Sequence, residues 1–517
     1  MTETTEPATQ RLAYSQYLSF AGKPLLVQSN SCVILRHASS FFAQRNCEEV
    51  SARPAAELRL MLRSDHDCHA EDAPWFRGKG YFALARFTHA DSVWFNLRTC
   101  RACGFFSAAI ASDAARWHKD ILPAVAGILA PAIAVAPVHA ACLSNNNSGI
   151  LLTGKSGVGK STLAVILARR GYGFLADDWS YLAQTRTGIN AWSVPVPVKL
   201  LPDAVSYFPE LASYLCAHSL NGELAYEVSP QECFGLSRKD HCPIRCIVLL
   251  DRSQQPGITI SPVPAAEAID WLCFEIEQLT GQLTSAYRAQ IGLLEGLSES
   301  VCLRVTFNAP PQEVASAIDD ALVDRLTPAQ TAFTMKNGSL AQDFYGNVCK
   351  LAEHPAIAPR ENSHHEPSDV AVAHETDAAP HKGMMNRHTV LDLKAIFEWL
   401  GMAVSIDTNC SAILRAAEKA GFIPMRDAKA KIDFCWEFVI EAGNSFLQKP
   451  PSIRVFCDEQ TIIITTERAG WFTFDFESGE GAGFLGGGES AEAVHAYFRS
   501  ITEVIKNRLC ETSICDE

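Results

Sequence analysis

One stretch constrains this chain more than any other. Gly149-Ile-Leu-Leu-Thr153 is an apolar run of strand length, and Gly154-Lys-Ser-Gly-Val-Gly-Lys-Ser161 follows it and fits G-x-x-x-x-G-K-[ST]. Thr162 to Arg170 then has helical composition and stops at Gly171. A strand, a glycine-rich turn and a helix in that order make a phosphate cradle. Glycines let backbone N–H groups turn inward, and the helix start adds its positive end. Lys160 is placed to reach β- and γ-phosphates, and Ser161 to offer Mg²⁺ a hydroxyl. The candidate nucleotide-binding set is Gly154, Lys155, Ser156, Gly157, Val158, Gly159, Lys160, Ser161 and Thr162.

An acid pair follows closely. Phe174-Leu-Ala ends in Asp177-Asp178. A carboxylate at a strand end beside a phosphate loop can hold Mg²⁺, and a neighbouring one can accept a proton from an attacking hydroxyl. Asp251, which closes the apolar run Cys246-Ile-Val-Leu-Leu, is a second candidate for the metal acid. Arg245, Arg252 and Lys199 are further cations that could meet phosphate or a protein substrate, with surface or structural roles as the alternative.

The stretch from Gly149 to Asp178 resembles the catalytic core of HPr kinase/phosphorylase, which acts on a serine of the phosphocarrier HPr. The shared features are the glycine loop and the Arg170-Gly171…Ala176-Asp177-Asp178 segment, with His139 shortly before the loop strand. The resemblance implies a fold akin to phosphoenolpyruvate carboxykinase, with ATP and Mg²⁺ as cofactors. It further implies Asp177 as proton acceptor, Asp178 as metal partner with Ser161, and His139 as an active-site residue. The chain departs from the family where Thr162 replaces the usual Glu and where no E-I-R-G-x-G string follows the acid pair. The resemblance covers residues 139–351 at most, and the strong part is about forty residues.

Around this core the chain is organised symmetrically. Asn30-Ser-Cys-Val-Ile-Leu-Arg36 recurs as Asn409-Cys-Ser-Ala-Ile-Leu-Arg415. Leu58–Leu62, ending at Asp65, matches Ile453–Cys457, ending at Asp458. Trp94-Phe95 and Gly104-Phe105 match Trp471-Phe472 and Gly483-Phe484, and each copy closes on a helical stretch. Residues 353–388 carry no Phe, Trp or Tyr, four prolines and six of the chain's fifteen histidines, including His364-His365. Such composition reads as a flexible linker. The expected plan is a disordered tail (1–11), an α+β unit (12–138), a P-loop α/β domain (139–351), the linker (352–388) and a second α+β unit (389–512). The fold class is thus an HPr kinase-like α/β P-loop domain flanked by two repeated small α+β domains.

Composition narrows the partners. A formal net charge of −14 opposes nucleic acid and anionic membrane surfaces. Ile121 to Leu143 lacks Asp, Glu, Lys and Arg and is long enough to span a bilayer, but Pro123, Pro131, Pro137 and His139 argue for a soluble helix followed by a buried strand. The acidic N-terminus carries no secretory pattern, so the reducing cytoplasm is expected and the eighteen cysteines, Cys100-x-x-Cys103 among them, read as free thiols. From Ala265 to Ser298 helical periodicity runs on, with Trp271, Phe274 and Ile276 read as core. Two functions remain open. One is an ATP- and Mg²⁺-dependent serine kinase acting on a protein or peptide, HPr-like or a peptide precursor, with a homo-oligomer implied by analogy with the family. The other is a nucleotide-responsive binding or scaffold protein without phosphotransferase activity.

Overall fold

A computed structural model describes residues 12–44, 53–63, 74–88, 91–186, 188–219, 222–279, 281–323, 385, 389–425, 431–440, 453–457, 460–466, 470–485 and 491–514. The expected tail and most of the expected linker lie outside these residues, as do Asp65, Asp458, His364 and His365.

The first sheet contains β1 (Tyr14–Phe20), β2 (Lys23–Ser29), β3 (Ala43–Gln44), β4 (Ala56–Leu62), β5 (Trp75–Lys79), β6 (Phe82–Arg86), β7 (Ser92–Asn96) and β8 (Arg101–Phe106), in the order β3-β1-β2-β4-β8-β7-β6-β5. The central region contains β9 (Ala136–His139), β10 (Ala141–Asn145), β11 (Ser148–Gly154), β12 (Gly173–Ala176), β13 (Trp179–Thr185), β14 (Gly188–Trp192), β15 (Val198–Leu200), β16 (Cys216–His218), β17 (Leu224–Val228), β18 (His241–Arg252), β19 (Gly257–Pro262) and β20 (Val301–Asn308). Nine of these form one mixed sheet, while β15, β16 and β17 form a small separate one. The last sheet contains β21 (Leu393–Trp399), β22 (Met402–Thr408), β23 (Ile423–Pro424), β24 (Phe434–Ile440), β25 (Ile453–Cys457), β26 (Thr461–Thr466), β27 (Gly470–Asp475) and β28 (Glu480–Leu485). Its order, β23-β21-β22-β24-β28-β27-β26-β25, is that of the first.

Asn30 and Asn409 show why the two N-terminal strings agree. Asn30 accepts from the Leu62 N–H and donates to its carbonyl, at 2.7 and 2.9 Å; Asn409 does the same to Ile440, at 2.8 Å each. Each asparagine thus extends the β2–β4 or β22–β24 ladder past the strand end. This fixes β24 as the counterpart of β4, correcting the match of Leu58–Leu62 to Ile453–Cys457. A second correction concerns register. Gly104 opposes Val93 whereas Gly483 opposes Phe472, so Phe472 corresponds to Val93, and Trp94 lies two residues away from the counterpart of Trp471.

The two sheets pack face to face. Leu84, Trp94 and Phe105 meet Val439, Ile463, Trp471 and Phe484 in one cluster, with the two indoles edge-to-face at 5.0 Å. Asn96, opposite Arg101 in β8, and Asp475, opposite Glu480 in β28, occupy equivalent positions and hydrogen-bond each other at 2.7 Å. Their outer faces are covered by helices, Cys32–Phe41 and Leu122–Leu129 in the first unit and Ser411–Lys419 and Ala491–Ile514 in the last.

The central sheet has two cores. Helices Lys160–Arg169 and Pro311–Val323 cover one face, and Ala265–Glu275 with Thr284–Glu295 cover the other. The expected single helical stretch from Ala265 is therefore two helices, parted by a turn in which Gly281 has φ 61°. Phe274, expected in the core, is 63% exposed; Ile276 is buried. The central sheet begins at Ala136, because β9 pairs with β13, so the boundary expected at 139 moves forward. Met385, expected in the linker, is buried against the first unit and accepts the Gly78 N–H at 2.8 Å. The last helix runs to Ile514, past the expected end at 512. Among the described residues no helix is long and apolar enough to cross a membrane.

Candidate active site

β11 lies between β10 and β18, and its apolar run is buried on both faces: Ile150 and Leu152 enter one core and Leu151 the other. The chain leaves it at Gly154, where a Cβ would stand 2.4 Å from the Leu250 carbonyl oxygen of β18. Only glycine fits so close an approach. The turn ends at Gly159, φ 110°, which starts helix Lys160–Arg169 with no side-chain cap, leaving its first N–H groups to other acceptors. Lys155, Ser156 and Gly157 are exposed at the tip, Val158 is buried, and Thr162 is half-buried on the first helical turn.

Lys160 is buried and folds across the loop, donating to Gly154 O at 2.9 Å and Lys155 O at 3.4 Å. Burial lowers its pKa, and the carboxylates of Asp178 and Glu275 oppose that shift. Ser161 Oγ reaches the Asp177 carbonyl at 3.4 Å, so the helix start meets the end of β12.

The two aspartates occupy different environments. Asp177 is 1% exposed, and its Oδ2 accepts the Lys199 N–H at 3.0 Å. Burial, reinforced by the charge of Asp178, pushes its carboxyl up to about 7, against the pull of the Lys199 N–H and of Arg238. Arg238 is held under the site by the carbonyls of Leu175, Val194 and Val196 at 2.8, 2.9 and 2.6 Å. Asp178 is half-exposed. Burial raises its pKa, but the His139 hydrogen bond and the charges of His139, Lys160 and Lys199 outweigh it, and the net direction is down.

His139 sits between two carboxylates, Nε2 at 2.8 Å from Asp178 and Nδ1 at 3.2 Å from Glu275, with its ring stacked on Trp179. Both nitrogens donate only when the ring is protonated. The Asp178 hydrogen bond raises its pKa, burial lowers it, and the net direction is up.

The fold thus gathers His139, Lys160, Ser161, Asp177 and Asp178 at one place. Asp251, the last residue but one of β18, is exposed, and its carboxylate accepts no hydrogen bond among the described residues. Arg245 is exposed on the same strand, and the Lys199 ammonium pairs with Glu223 at 2.6 Å. Glu275 and Arg238 were not legible in the sequence. Each is a lone residue far along the chain, and no local pattern marks it. Cys100 and Cys103 are free, and burial pushes the Cys100 thiol up to about 11. Chemically, a buried carboxyl that titrates near neutrality beside one that stays ionised separates proton transfer from charge binding.

The family model of the HPr serine kinase C-terminal domain matches residues 130–191. HPr kinase/phosphorylase of Bordetella pertussis (strain Tohama I) is 46% identical over 52 residues, 10% of this chain and 17% of that protein. The Geobacillus sp. (strain WCH70) protein of the same name is 42% identical over 67 residues, 13% of this chain and 21% of that protein. The chain therefore spans about a fifth of the length of the curated relatives it matches. A solved structure, the Hpr(Ser) kinase/phosphatase from Coxiella burnetii, aligns at 13% identity and a TM-score of 0.21, covering 36% of this chain and 97% of that one. The family match contains His139, the glycine loop and both aspartates, and ends before Lys199, Arg238 and Glu275.

Proposed function

From a chain that is a divergent member of the HPr serine kinase C-terminal domain family through residues 130–191, we propose an ATP- and Mg²⁺-dependent kinase that phosphorylates a serine-type hydroxyl of a protein or peptide. One observation carries the reading: Asp177, buried and raised to about 7, adjoins Ser161 at the start of the phosphate-loop helix. A general base works best with a pKa near the working pH.

The residues present fit both cofactors. Gly154 seats the loop against β18 and Gly159 takes the left-handed turn into the helix, and the uncapped helix start and Lys160 supply donors for phosphate. Asp178 and Ser161 make a hard oxygen pair for Mg²⁺, which commonly takes one or two protein ligands plus phosphate and water. Bound Mg·ATP supplies the phosphoryl group and neutralises charge on it.

This chain's own residues do the rest. Asp177 Oδ takes the proton of the acceptor hydroxyl as the oxygen attacks. Asp178 stays anionic at neutral pH because His139 and Lys160 hold its charge. Glu275 and Trp179 fix the His139 ring, and through it Asp178. Lys160 neutralises phosphate charge in a site where burial strengthens each interaction.

The test uses purified full chain, γ-labelled ATP, Mg²⁺ and a lysate of its host, beside Lys160→Ala and Asp177→Asn. Expected is a labelled acceptor that disappears in both variants, with nucleotide binding lost only in Lys160→Ala. Full transfer by Asp177→Asn refutes the assigned base. Lys160-dependent binding with no labelled acceptor refutes the kinase and leaves the nucleotide-responsive binding protein.

A further inference from the structure

Strands β11 and β18 run parallel, and Gly154 stands opposite Leu250. β18 continues two residues further, to Arg252, and so ends alongside the glycine loop. Arg252 Nε donates to the Val158 carbonyl at 3.3 Å, and an Nη lies 3.7 Å from where a Gly159 Cβ would stand. The guanidinium rests on the Phe307 ring at 4.8 Å, and Phe307 is its register partner in β20. Among the described residues no carboxylate forms an ion pair with it. The side chain is therefore a positioned cation that uses one donor on the loop and keeps the rest of its fork for another acceptor.

We propose that Arg252 is a second phosphate-binding cation of the glycine loop, gripping the nucleotide's phosphate chain at the Val158–Gly159 end while Lys160 serves the Gly154–Lys155 end. The inference rests on the nucleotide reading above and adds a residue that lies outside the family match at residues 130–191. Guanidinium suits the task because its planar donors meet phosphate oxygens two at a time and its charge is permanent. The rival role is a neutral strut that merely ties Val158 to β18. That role needs an N–H donor and no charge.

Two substitutions separate the roles. Arg252→Gln retains an N–H donor and loses the charge, whereas Arg252→Lys retains the charge and loses the planar fork. ATP affinity of the full chain is measured by calorimetry for wild type, Arg252→Gln, Arg252→Lys and Lys160→Ala, with apo melting curves to confirm folding. Arg252→Gln is expected to weaken ATP by about ten- to a hundredfold, the worth of one or two charge-assisted hydrogen bonds, and Arg252→Lys by only about threefold. Wild-type affinity in Arg252→Gln, with binding lost in Lys160→Ala, overturns the proposal alone. So does an Arg252→Lys chain as weak as Arg252→Gln or weaker. A wild-type chain that binds no ATP overturns the nucleotide reading and this proposal together.

Discussion

Replacing Asp177 with asparagine should abolish phosphoryl transfer and at the same time stabilise the fold, in a manner that depends on pH. The Asp177 carboxyl is raised from 3.8 to about 7, first by burial and then by the charge of Asp178. Between those values the folded chain holds a proton that the unfolded chain has released. Wild-type stability therefore falls as pH climbs through the window. The loss is about 1.4 kcal/mol per pH unit, so about 4 kcal/mol across the window as an upper bound. Asparagine does not titrate, and its amide oxygen can still accept the Lys199 N–H that Asp177 Oδ2 accepts at 3.0 Å. The other titrating groups are common to both chains and cancel to first order. Urea denaturation without Mg²⁺, at about pH 4, 5.5 and 7.5, gives both stabilities. The advantage of Asp177→Asn should grow from near zero at the acid end to a few kcal/mol at the neutral end. Parallel curves would refute the argument, because they mean that Asp177 is charged at no cost in its buried position.

Four further substitutions carry expected outcomes. Gly154→Ala places a Cβ 2.4 Å from Leu250 O, so the loop must shift; the expected result is about 1–3 kcal/mol of destabilisation with loss of ATP binding, read by melting and calorimetry. Gly157 has open space around it, so Gly157→Ala carries only the strain of its φ of 75° and should cost about 1 kcal/mol. Trp471→Ala removes a fully buried ring packed on Trp94 and Phe484 and should cost about 3–5 kcal/mol; an unchanged urea midpoint contradicts the face-to-face packing of the two units. Asn96→Ala removes the donor to Oδ2 of the buried Asp475 carboxylate, whose Oδ1 keeps the Ser478 N–H, an expected loss of about 1–3 kcal/mol, and the double variant with Asp475→Ala should lose less than the two singles added together.

What the sequence determined by itself was local. The glycine loop needs backbone angles and close approaches that only glycine allows, and strand, loop and helix follow one another without a break from Ser148 to Arg169. The acid pair directly follows the next strand, in the bend between β12 and β13, so Lys160, Ser161, Asp177 and Asp178 come together through one short connection. The agreement of the Asn30 and Asn409 strings was legible for a similar reason, since one side-chain amide closes the same ladder in each unit.

Tertiary structure decided the rest. Alternating apolar strings are interchangeable, so which strand corresponds to β4, and in what register Trp94 and Trp471 sit, could be fixed only by hydrogen-bonded pairing across sheets. Helical periodicity persists through a turn, and only packing on the central sheet separates the helices beginning at Ala265 and Thr284. Glu275 meets His139 because the Ala265–Glu275 helix lies over β9, and Arg252 meets the loop because β18 runs beside β11. The proton affinity of Asp177 belongs to this second class. An aspartate in sequence is an ordinary acid, and its carboxyl rises to about 7 only when the folded chain removes it from water and sets a second carboxylate beside it.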